Sequence, residues 1–112
     1  MKHIPPEERD IIYDAAIKTF GESMQLVVAL EEFSEIQKEI CKALRGNYNP
    51  HHLAEEVADA TIMLEQIRKV FNIGDIVDDI MDHKILRLHQ RVTQADEANK
   101  ARLDAVMKCL ES

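Results

Sequence analysis

Tryptophan is absent, and three Phe and two Tyr make up the whole aromatic content, 4% of 112 residues. Aliphatic side chains and the five methionines must therefore fill the core. Basic charge is in deficit: 14 Lys and Arg stand against 21 Asp and Glu, a formal charge of −7. That balance argues against a nucleic-acid backbone as partner, because phosphate tracking wants a basic stripe. It leaves room for a nucleotide, whose phosphates a bound cation can bridge. The two cysteines, Cys41 and Cys109, have no metal-type spacing and read as reduced thiols of a cytoplasmic protein. With three glycines there is no Gly-rich phosphate loop. No run approaches the ~18 apolar residues of a membrane span, and MKHIPPEERD lacks the apolar stretch of a signal peptide. A cytoplasmic protein with neither a membrane nor a nucleic acid as partner is expected.

What is present is helical patterning. Hydrophobic residues make up 46%, enough for one globular domain over 1–112. Pro5-Pro6-Glu7-Glu8 opens a helix that Gly21 breaks, and a longer one runs from about Glu22 to Arg45, with Gly46-Asn47 as its stop. Asn49-Pro50 caps and starts a third, to about Phe71, before the break at Asn72-Ile73-Gly74. A fourth spans Asp75 to about Val92, and Thr93 is expected to cap a fifth, from Gln94 to Leu110. Nothing alternates with period two. The pattern predicts an all-α antiparallel bundle of four to five helices, with its core over about 22–92 and its burial completed by oligomerisation.

Two acidic motifs stand on the second and third helices: Glu32-Phe33-Ser34-Glu35 and Glu56-Val57-Ala58-Asp59. Residues i and i+3 share a helix face, so each motif aims two carboxylates at one point. At 100° per residue, Leu53, Ala60, Met63, Leu64, Ile67 and Val70 lie within roughly 80° of Glu56. Glu56 thus sits inside the stripe that faces the core, with Asp59 at its edge, whereas Glu55 and Glu65 point away. On the second helix Glu32, Glu35 and Glu39 line one flank of the apolar arc Ala29, Phe33, Ile36, Ile40 and Leu44. Either motif alone reads more readily as a solvated face or an ion pair than as a site. Two on consecutive antiparallel helices would bring four acids together, an arrangement that repels itself unless a cation holds it. Oxygen-only ligands favour Mg²⁺, or Mn²⁺.

Other residues carry weaker signals. Asp75, Asp78, Asp79 and Asp82 fall opposite Ile73, Val77, Ile80 and Leu88 and read as solvated acids near a helix start. Lys84 and Arg91 project from the apolar face of the fourth helix, with Arg87 at its margin. They either snorkel to water or meet the phosphates of a nucleotide. His52 lies one turn before Glu56 and could belong to the site, but a helix-terminal or solvated role is the more natural reading. Neither motif has the Glu-x-x-His form of a di-iron bundle.

Glu32-x-x-Glu35, twenty residues, then Glu56-x-x-Asp59 resembles the all-α nucleoside triphosphate pyrophosphohydrolases, the MazG-like superfamily. Leu30-Glu31-Glu32-Phe33-Ser34-Glu35 and Leu53-Ala54-Glu55-Glu56-Val57-Ala58-Asp59-Ala60 carry the likeness, which covers roughly residues 22 to 92. Lys84-x-x-Arg87 is similar to the family's basic element but departs from its fuller form with adjacent arginines.

The resemblance implies Mg²⁺ held by Glu32, Glu35, Glu56 and Asp59, with Glu35 or Glu39 accepting the proton of the attacking water. Lys84, Arg87 and Arg91 would then contact substrate phosphates. It further implies cleavage of a (deoxy)nucleoside triphosphate to the monophosphate and pyrophosphate, as nucleotide-pool house-cleaning, by a homodimer or homotetramer. The rival readings are a phosphoribosyl-ATP pyrophosphatase-like enzyme, a non-catalytic helical interaction module and, last, a carboxylate-bridged redox centre.

Overall fold

A computed structural model describes residues 2–111. Five α-helices follow in order: α1 (Pro6–Phe20), α2 (Glu22–Leu44), α3 (Pro50–Val70), α4 (Gly74–Ala95) and α5 (Lys100–Glu111), with a 3₁₀ turn at Glu97–Asn99 before the last. No strand occurs among the described residues. The chain is all-α, as the patterning predicts, and it divides into two compact units, Met1–Ile73 and Gly74–Ser112.

The helix ends follow from local chemistry. Pro5, extended, accepts at its carbonyl from the Glu8 and Arg9 amides, and Pro6 enters α1 where no backbone donor is needed. Gly21 adopts φ +94°, which side-chain-bearing residues avoid, so it closes α1 and opens α2 at one residue. α2 and α3 end alike. Asn47 N–H reaches back to the Lys42 carbonyl at 2.8 Å, and Ile73 N–H to that of Arg68 at 2.9 Å. In each case the preceding residue, Gly46 or Asn72, takes the left-handed conformation this closure requires. Asn49 caps α3 through a 3.2 Å bond from the His52 amide.

The end of α4 differs from expectation. Thr93 does not cap a new helix; its hydroxyl donates to the His89 carbonyl at 2.8 Å, inside α4. The helix runs on to Ala95, and Asp96 makes the break by accepting from the Ala98 amide at 3.0 Å and the Asn99 amide group at 2.7 Å. α5 therefore starts at Lys100 rather than Gln94.

In the first unit α2 and α3 form the main interface, and α1 packs against both. Among the described residues the buried apolar side chains are Ala29, Ala60 and Met63, joined by Gln25 and Gln66. Lys69 near the end of α3 ties α1 down through Asp14 at 3.1 Å and Asp10 at 3.5 Å. The second unit is α4, the 3₁₀ turn and α5, and none of its described side chains is fully buried.

Candidate functional site

α2 and α3 run antiparallel, because Gln25 meets Gln66 while Glu32, further along α2, meets Asp59, earlier on α3. This orientation brings the two acidic motifs together. One carboxylate oxygen from each of Glu32, Glu56 and Asp59 lies within 4.8 Å of the others. Glu32 and Glu56 are half-buried, and Asp59 is exposed at the mouth. The Glu56 Oε2 atom is sealed from solvent and has no hydrogen-bond partner. Its position within the apolar stripe of α3 accounts for that.

The electrostatics follow from the geometry. Burial and then the charge of Asp59 push the Glu56 carboxyl above its ordinary value, with Glu35, Glu39 and Glu55 adding to the effect. Glu32 is raised by burial, by the Asp59 charge and by a hydrogen bond shared with Asp59, with smaller contributions from Glu56 and Glu35. Two crowded glutamates held above their ordinary pKa, one with an orphaned oxygen, form with Asp59 a donor set suited to a hard divalent cation.

The other expected residues are placed as follows. Glu35 contributes its charge to the site but no oxygen to the close set; it is half-exposed and 3.9 Å from Lys38. Glu39 is nearly buried, with its side chain 10% exposed, and pairs with Lys42 at 3.2 Å. His52 is exposed, and His51 engages Glu55 at 2.8 Å. Lys84, Arg87 and Arg91 are exposed on α4, in the second unit. Asp75, Asp78, Asp79 and Asp82 are exposed as well, in keeping with solvated acids.

Two features were not among the residues singled out by pattern. One is the Gln25–Gln66 bond, whose signal is a polar residue within each apolar stripe. The other is an open cleft of about 440 Å³ between α1 and α3, lined by Ile4, Arg9, Ile12, Tyr13, Thr61 and Ile62 together with Ala58 beside Asp59.

Comparison with family models, curated proteins and solved structures finds no match to this chain. Among the described residues no helix is long and apolar enough to cross a membrane. The class defined by fold and site is an all-α chain carrying an inter-helical carboxylate cluster.

Proposed function

We propose that the protein is a divalent-cation-dependent nucleoside triphosphate pyrophosphohydrolase that converts a (d)NTP to the (d)NMP and pyrophosphate, acting in nucleotide-pool house-cleaning. The observation that carries this reading is the convergence of Glu32, Glu56 and Asp59 around the unpartnered Glu56 oxygen. It is supported by the motif spacing that resembles the MazG-like superfamily. Glu32, Glu56 and Asp59 would hold Mg²⁺ or Mn²⁺, with Glu35 one turn from Glu32 as a further ligand. When bound, the ion neutralises phosphate charge and acidifies water.

The chain's own residues supply the rest. Water adds across the α–β anhydride, its oxygen staying on one phosphate as the bridging P–O bond breaks. Glu35 takes the water's proton; it is half-exposed and only loosely held by Lys38. Glu39, already paired to Lys42, is the alternative base. The family resemblance alone assigns Lys84, Arg87 and Arg91 to the outer phosphates.

The active form is proposed to be a homodimer or homotetramer. α4 leaves Ile76, Ile80, Met81, Ile85 and Leu88 exposed, and α1 leaves Ile11, Ile12 and Phe20. That same apolar exposure favours the second reading, a non-catalytic interaction module. A phosphoribosyl-ATP pyrophosphatase-like activity would use the same acids on a different substrate. Pyrophosphate release from a triphosphate panel, with and without chelator, separates these readings: both enzymes lose turnover to the chelator and differ in substrate, while the module shows none.

A further inference from the structure

Gln25 Nε2 donates to Gln66 Oε1 at 2.6 Å across the α2–α3 interface, and the two residues are only 8% and 5% exposed. Seven residues along α2 from Gln25 is Glu32, and seven back along α3 from Gln66 is Asp59. Those two face each other in the carboxylate cluster, with oxygens within 4.8 Å. Seven residues make nearly two whole turns, about 10.5 Å of rise, so the two rungs lie along one seam. The amide pair and the carboxylate cluster are therefore set by a single helix register.

The remaining contents of that seam specify the register weakly. The buried apolar residues are two alanines and one methionine, small or pliable side chains that fit several alignments. Without a cation, moreover, the cluster's like charges push the helices apart. A slip of one helical turn, about 5.4 Å, would separate Glu32 from Asp59 and leave both buried amides without partners. Polar pairs inside apolar interfaces fix register in this way in coiled coils.

We propose that Gln25 and Gln66 are positioning residues, a register lock that keeps the carboxylate cluster assembled before the cation arrives. The inference rests on the cation-site reading above for its purpose, but not for the lock itself.

The test compares the wild type with Q25L/Q66L, which replaces the bridge by an apolar pair, and with M63A, which weakens the same interface without touching the bridge. Mn²⁺ affinity is read by calorimetry, and the interhelical methyl contacts of Ala29, Ala60 and Met63 by NMR. The lock requires Q25L/Q66L to melt no lower than wild type while Mn²⁺ affinity falls about tenfold or more, the scale of losing an outer-shell partner. Its methyl signals double or broaden as registers mix. M63A melts lower but keeps its affinity. Gln66→Asn, too short to reach Gln25, melts lower because it strands buried amides, but shows the same affinity loss and mixed methyl signals should the double variant fail to fold. A single wild-type set of methyl contacts in the bridge variants, or equal loss of affinity in M63A, overturns the lock. If wild type itself ignores Mn²⁺, the cation reading fails, and the methyl contacts still decide the register question.

Discussion

Glu32 on α2 and Asp59 on α3 bring carboxylate oxygens within 4.8 Å of each other across the helix interface. Glu56, close to both, carries an oxygen cut off from water. Burial, and then the charge of Asp59, raises the pKa of both Glu32 and Glu56 above the ordinary glutamate value.

The sign of the resulting pH dependence is fixed. Raised folded-state values mean the native state binds protons more tightly than the unfolded chain. The stabilisation is complete below the ordinary glutamate range and is lost as pH rises through the raised values. In chelator, Glu32→Gln/Glu56→Gln should melt above wild type at neutral pH, and that gap should narrow on acidification into the glutamate range. A gap that stays constant with pH would show that the carboxylates do not interact.

Replacing Glu56 alone separates stability from function. Glu56→Gln removes one of the crowded charges, so the metal-free protein should melt at or above wild type. Its Mn²⁺ affinity should drop by at least ~100-fold, since losing even an outer-shell partner can cost that much. Calorimetry beside a thermal melt reads both quantities. Undiminished affinity would remove Glu56 from the site.

Lys69 makes the contrasting case. Burial works to lower its ammonium, but the hydrogen bond to Asp14 and the charges of Asp14 and Asp10 outweigh that and hold its pKa above the ordinary value. Its contribution persists below the ordinary lysine value and is lost only as pH rises through the raised one. Lys69→Met should cost about 1 kcal/mol at low salt and less at high salt, because the partner carboxylates are largely exposed. Mn²⁺ affinity should not change. Denaturant titration at two ionic strengths checks this.

The helix ends are legible in the chain because they depend on single residues with their own conformational demands. Gly21, Gly46 and Asn72 supply the left-handed or otherwise glycine-like backbone, and Asn49-Pro50 supplies a cap and a first turn. Thr93 misleads for a physical reason: a β-hydroxyl serves equally as a cap or as a back-bonding group inside a helix, and here Asp96 makes the stronger break. Glu56 is legible as a candidate because it interrupts an apolar stripe. That Glu35 contributes charge rather than an oxygen to the close set is not legible, since i, i+3 spacing fixes a face but not a reach. The Gln25–Gln66 bridge depends on register between helices, which periodicity within either helix cannot supply.

The phosphate role proposed for the α4 cations calls for a kinetic measurement. If Lys84 and Arg87 meet the outer phosphates, Lys84→Ala and Arg87→Ala should each raise KM for a triphosphate by roughly 10- to 100-fold, the loss of a charged hydrogen bond. Mn²⁺ affinity should be unchanged. Equal KM values for wild type and both variants would leave these cations as surface charge.

The most direct measurement is pyrophosphate release from a panel of nucleoside triphosphates, run with Mg²⁺ and with chelator on wild type and Glu56→Gln. A carboxylate-held divalent centre gives release from at least one triphosphate by wild type with Mg²⁺, and none with chelator or with the variant. Release that persists in chelator or in Glu56→Gln, or no release from any triphosphate by the Mg²⁺-loaded wild type, contradicts it.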